Sequence, residues 1–300
     1  MHTIMDEANE KEQKSSSHKN INYYVIAAIF ISVLLFTFAN SIEPQINEQL
    51  DFFELIFVLA YAAPAVFSFF VARKLWGSRV FSRAYLSLAI AYGLGAIGAA
   101  SFDYYQMIGV ENPYPYPTVD TFFVLFYIFA IIHLRINTRF GAGGKLTRQQ
   151  KMIIAIIPLG VTSIYAFVVP YAPAISVTDS VSDDKVFKLV PTFLKNTRFE
   201  PLPEYDQQFW NGYFTGIYFV AATTAVFAWA LVGAQVFHRS SQLGMPWALL
   251  LIGLGLNAVG DVAYYFTSIY SYDRTNPIIG IWVLGFMIVC YALYLHEKRV

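Results

Sequence analysis

Cysteine is all but missing from this 300-residue sequence. The single copy, Cys290, lies in an apolar run, so a disulfide within the chain and any cysteine-built zinc site are excluded. Charge is scarce too: Asp, Glu, Lys and Arg make up 13% of the residues, against about 25% in soluble domains. The 20 basic residues balance the 20 acidic ones, and no basic stripe stands out. Nothing points to nucleic acid as a partner. The five histidines show no H-x-x-x-H or H-x-x-x-D spacing, which argues against a zinc hydrolase and leaves no metal site to assign. Gly141-Ala142-Gly143-Gly144-Lys145 begins like a phosphate loop, but Leu146 follows where Ser or Thr is required, and no strand precedes it. It reads as a flexible basic loop. No cofactor is implied, and no lysine lies inside an apolar run, which excludes a retinal Schiff base.

What fills the sequence instead is grease. Hydrophobic residues reach 57% and aromatic residues 18%, with a mean hydropathy of +0.49. A spanning helix needs about 20 apolar residues, since each adds about 1.5 Å toward a core of about 30 Å. That ruler marks eight runs: 22–40, 53–74, 84–108, 119–136, 151–170, 209–237, 246–270 and 278–296, the fourth of them short. Ile153-Ile154-Ala155-Ile156-Ile157 does not alternate as a barrel strand must, so the runs read as helices. The expectation is an all-α, multi-pass integral membrane protein of about eight transmembrane helices. Residues 1–21 read as a disordered tail with no cleavable signal peptide.

Basic residues orient the runs. Lys11, Lys14 and Lys19 fall in the tail, Arg73, Lys74, Arg79 and Arg83 between runs two and three, and Arg135, Arg139, Lys145, Arg148 and Lys151 between runs four and five. With Arg239, Lys298 and Arg299, these put both termini in the cytoplasm, leaving Lys185, Lys188, Lys195, Arg198 and Arg274 outside. Tyr23, Tyr24, Trp76, Tyr104, Tyr105, Trp210 and Trp247 sit at run ends as an interfacial belt. Gly93-Leu94-Gly95 with Asp103-Tyr104-Tyr105 returns about 160 residues later as Gly253-Leu254-Gly255 with Asp261 and Tyr264-Tyr265. Four helices per copy is an even number, so the reading is a parallel 4+4 repeat, 22–140 and 151–300, with a long outer loop at 171–208.

A carboxylate at membrane depth costs several kcal/mol unless paired or wetted, so each one is a candidate functional position. Asp261 stands about 22 Å along its helix from Pro246, with Asn257 one turn before it and Tyr264 and Tyr265 one turn after. With amide and phenol neighbours it is placed to donate a proton; the plainer account is a hydrogen-bond lock between helices. Asp103 is its counterpart in the first copy, about 30 Å from Arg83 and so near the outer boundary. A pseudo-twofold packing would turn Asp103 and Asp261 into one outer cavity, where two carboxylates can divide acid and base roles. Tyr104 and Asp120 complete the ligand-binding candidates. His133 reads as a satisfied core or interfacial histidine, and His238 and His296 as interfacial. Gly212 and Gly216 suggest close helix packing, and Pro64 and Pro158 suggest kinks.

The stretch Asp103-Tyr104-Tyr105, Pro113 to Phe123 and Phe126-Tyr127 resembles a recurring element of the membrane sensor modules that precede histidine kinase or diguanylate cyclase domains in archaea and bacteria. Thr118 stands where those modules usually have Ser, Phe126 replaces a Gly, and the second copy at Asn276-Pro277 lacks the turn's Asp. The resemblance implies a cell-membrane signalling module, and a chain stopping at Val300 without an output domain implies a separate signalling protein or another membrane protein as partner. A second resemblance, through Gly260-Asp261-Val262, is to the lysoplasmalogenase family of eight-helix membrane hydrolases; Phe102 before Asp103 departs from its pattern. The leading expectation is a non-enzymatic sensor-like or partner-binding module. The alternatives are a lipid hydrolase using Asp103 and Asp261, and a small-solute transporter.

Overall fold

The computed structural model describes residues 24–38, 52–108, 117–171, 207–238, 243–267 and 278–299. The tail at 1–21, nearly all of the long loop at 171–208, the Pro113–Tyr116 turn and Asn276-Pro277 lie outside the described residues, so nothing follows for them here. Regular structure among the described residues is entirely helical. A shorter α1 (Tyr24–Phe38) is followed by α2 (Phe52–Lys74), α3 (Arg79–Met107), α4 (Pro117–Gly141), α5 (Arg148–Tyr171), α6 (Gln207–Phe237), α7 (Gly244–Thr267) and α8 (Ile278–Arg299). The last seven are long and apolar enough to cross a membrane. They fall within a few residues of the runs read from hydropathy, because in lipid a helix alone satisfies every backbone group.

Six of them close a ring in the order α2, α3, α4, α6, α7, α8, with α8 returning to α2; α5 packs outside on α6. Neighbours α2 and α8 run parallel: Phe57 lies beside Trp282, Tyr61 beside Phe286, and Lys74 pairs with Glu297 at 3.5 Å. Lys74 also donates to the Glu297 carbonyl. Between α7 and α8 the backbones approach closely. A Cβ at Gly253 would meet the Gly285 carbonyl and Val289, and one at Gly285 would collide with Asn257. Small residues allow such contact where lipid gives helices no hydrophobic reason to associate.

Tyr61 forms the centre of the core, with its ring against Phe57, Tyr92, Phe123, Phe126 and Phe286 at centroid distances of 4.4 to 6.5 Å. The outward faces are equally apolar. Leu34, Leu59, Leu159 and Phe167 are all exposed, and only 11% of the α5 span is buried. Apolar surface so continuous suits lipid and not water.

Three expectations need correction. The fourth helix is not short: it runs 25 residues, carrying Arg135 and Arg139 on the helix instead of in a loop. Its polar last turns lower the local hydropathy without breaking the backbone pattern. The following glycines form a tight turn and not a loose loop. Gly143 and Gly144 have φ of 65° and 88°, and their N–H groups return to Phe140 and Arg139. This is a Schellman stop. Thr147 and Gln150 then exchange side-chain and backbone bonds of 2.9 and 3.2 Å, a capping box that starts α5. Finally, Trp247 and His296 are not interfacial. They are 2% and 1% exposed, because their helix faces turn into the ring instead of toward its rim.

Candidate functional site

Asp261 stands at a junction of side-chain hydrogen bonds from three other helices. It is partly buried on α7, two turns before the helix ends, at the end of the ring opposite the Lys74–Glu297 pair. One carboxylate oxygen, Oδ2, accepts from Tyr127 Oη on α4 at 2.8 Å and from Thr223 Oγ1 on α6 at 2.7 Å. The other, Oδ1, accepts from the Trp282 indole N–H on α8 at 2.8 Å. One carboxylate therefore joins four helices. Each donor is held in turn by apolar packing. Trp282 lies against Phe57 and Tyr264, and a Cβ at Gly260 would strike its indole. Tyr127 packs on Phe126 and Phe219, and Phe219 stacks on Tyr265 at 5.3 Å.

The candidates read from the sequence divide accordingly. Tyr264 and Tyr265 do flank Asp261, one against Trp282 and the other against Phe219. Asn257, one turn earlier, is buried with both amide atoms lacking a hydrogen-bond partner, and its side chain faces Gly285. Asp103 is half-buried near the end of α3 and is not among the three donors and partners of Asp261. Tyr104 is exposed and touches Tyr105, whose hydroxyl lies 3.4 Å from Thr118. Asp120 occupies the first turn of α4, where a carboxylate complements the helix dipole. Around these last residues a groove of about 300 Å³ opens between α3 and α4, lined by Ile97, Ala100, Ser101, Tyr104, Tyr105 and Thr118.

The sequence reading missed Tyr127, Thr223 and Trp282 as partners. Tyr127 had been picked out only as part of a resemblance; Thr223 and Trp282 look like ordinary members of apolar runs.

A second polar group lies at the basic end. His133 Nδ1–H donates to the Ala84 carbonyl at 2.9 Å, which leaves Nε2 as the acceptor for the Asn137 amide at 3.4 Å. His296 Nδ1–H donates to the Ala292 carbonyl at 3.0 Å, leaving its Nε2 buried and unpartnered. Both imidazoles contact the same two rings, Tyr85 and Trp247. Of the two readings of His133, core or interfacial, its full burial favours the core, and it has a companion that sequence spacing concealed. Among the described residues no group of three or more His, Cys, Asp or Glu is placed to hold a metal ion. No family model matches the sequence, and neither the curated proteins nor the solved structures contain a match.

Proposed function

We propose that the protein is a sensor-type membrane module that relays a change at its outer face through the Asp261 junction to the basic, cytoplasmic end. The observation that carries this reading is the three-donor carboxylate: α4, α6 and α8 all bond to one side chain of α7. A displacement of any one of these helices breaks or re-makes its own bond to the shared carboxylate, and a movement of that carboxylate disturbs all three, which is the kind of discrete element a switch requires. The α3–α4 groove is the entry point, and Tyr127 lies nine residues beyond Thr118 on α4, about 13.5 Å along the axis.

The ring order supports the 4+4 parallel repeat. The sequence α2–α3–α4 and the sequence α6–α7–α8 have the same neighbours, and each joins the other at both ends. An even repeat with basic turns on one side keeps both termini in the cytoplasm. The same geometry weighs against the hydrolase alternative. A general acid or base needs a carboxylate oxygen open to the reacting atom, whereas both oxygens of Asp261 are engaged by protein donors.

Spin labels on Arg139→Cys and Lys298→Cys, in a Cys290→Ser background, report the separation of α4 and α8 at the basic end. Tyr127→Phe is expected to shift or broaden that distance distribution in lipid nanodiscs. An unchanged distribution overturns the relay. Turnover of a phospholipid or lysolipid by the purified protein, lost in Asp261→Asn, establishes the hydrolase instead.

A further inference from the structure

Buried polar atoms without partners are rare in proteins, because each forfeits the hydrogen bonds it had in water. Some stand apart, Thr162 on α5 and Asp120 in the first turn of α4 among them, while six such atoms fall at successive levels of the ring. Asn257 Oδ1 and Nδ2, Tyr92 Oη, Ser68 Oγ, Asn137 Oδ1 and His296 Nε2 all lack a hydrogen-bond partner among the described residues, and none of these side chains is more than 9% exposed. Their levels can be read along α8. Trp282, bonded to Asp261, marks the first level. Asn257 lies against Gly285, three residues further. Tyr92 packs on Phe286 at 6.1 Å. Ser68 lies seven residues beyond Tyr61, on the same face of α2. With Tyr61 beside Phe286 and Lys74 beside Glu297, that places Ser68 near the level of Ala292. His296 is last, with His133 and Asn137 across Tyr85 and Trp247.

From Trp282 to His296 is fourteen residues, about 21 Å of helix axis, and the polar groups occur at intervals of one or two turns or less. All are buried on α2, α3, α4, α7 and α8, five of the six helices of the ring. Where there is room beside them, buried polar groups take internal water, which bridges two to four of them at once. Carboxylates, hydroxyls and imidazoles linked by water are the materials of proton relays in membranes.

We propose that this file of groups is a water-bridged proton path through the helix ring, joining Asp261 to the His133–His296 pair. Asp261 accepts a proton on Oδ2 along its hydrogen bond from the Tyr127 hydroxyl, which regains one from the outer side. Each following step breaks one O–H bond as the next forms, through water and the hydroxyls of Tyr92 and Ser68. His296 Nε2 gains the proton, and its imidazolium releases it at the basic end, where the adjacent Glu297 reaches solvent. One proton crosses per passage, with no oxidant, reductant or other co-reactant, and the gradient sets the direction. This activity is independent of the sensor reading and survives its failure.

The test uses purified full-length protein in liposomes loaded with a pH-sensitive dye, with a potassium gradient and valinomycin setting the potential. Proton flux well above that of protein-free vesicles is expected. Tyr92→Phe and Ser68→Ala, which remove one oxygen each and keep the packing, should cut the flux to less than about half. Thr162→Ala, on α5 outside the ring, should leave it unchanged. Size-exclusion profiles confirm that each variant is folded. Flux no greater than in empty vesicles overturns the proposal, as does full flux in both Tyr92→Phe and Ser68→Ala.

Discussion

Replacing Asp261 by Asn alters the junction in a way the geometry makes specific. The carboxylate accepts two bonds on Oδ2 and one on Oδ1, all from donors. An amide has one accepting oxygen. Turned toward Tyr127 and Thr223, it points its NH₂ group at the Trp282 N–H; turned the other way, it opposes two hydroxyls. The first orientation loses the Trp282 bond to a donor–donor contact; the second keeps it only if both hydroxyls reverse from donors to acceptors, and neither keeps all three charge-assisted bonds of the carboxylate. Single bonds between membrane helices average about 0.6 kcal/mol and reach about 1.7 kcal/mol, while bonds to charged groups in soluble proteins are worth about 1.5–3 kcal/mol. A loss of about 1–3 kcal/mol follows for Asp261→Asn. Because Trp282→Phe also opens space beside Gly260, the clean quantity is the coupling in a double-mutant cycle. Unfolding in mixed micelles, followed by far-ultraviolet circular dichroism, should give a coupling of about 1 kcal/mol between Asp261→Asn and Trp282→Phe. Effects that add within about 0.3 kcal/mol would show that the 2.8 Å contact contributes nothing and refute the reasoning.

Other outcomes follow from packing. Gly253→Ala drives a methyl into the Gly285 carbonyl and Val289 and should cost about 1–3 kcal/mol, whereas Gly93→Ala, with nothing within 4 Å, should not lower the melting temperature in detergent. Leu250→Ala, at a fully buried position, should cost about 2–5 kcal/mol; Leu159→Ala, at an exposed position on α5, should stay within about 0.5 kcal/mol in the same micelle unfolding assay. Thr147→Ala removes one half of the capping box and should lower stability by about 1 kcal/mol, with earlier exchange of the first amides of α5.

The helices were legible because hydropathy acts on one segment at a time: a run such as 278–296 must be a helix in lipid whatever its neighbours are. Depth was legible for Asp261, since fifteen residues from Pro246 fix its height. Rotation was not. Trp247 near a helix end looks interfacial, and only the packing of Phe237, His133 and His296 around it shows an inward face. Asp261 was singled out by its charge, yet its donors are a tyrosine, a threonine and a tryptophan, residues that apolar runs carry for many reasons. Charge scarcity drew attention to carboxylates and away from Ser68 and Tyr92, which are polar without being charged. Pairing across elements, such as His133 with His296, leaves no trace in linear spacing.

Everything rests on the apolar helix faces lying in lipid, with the α4–α5 turn and the opposite ends of α3 and α4 on different sides. Cysteines placed singly at Lys145→Cys and Ser101→Cys, in a Cys290→Ser background, test this with a membrane-impermeant maleimide on intact cells. Ser101→Cys should label on intact cells, and Lys145→Cys only after the membrane is broken. Labelling of both sites on intact cells, or of Lys145→Cys alone, would contradict the account.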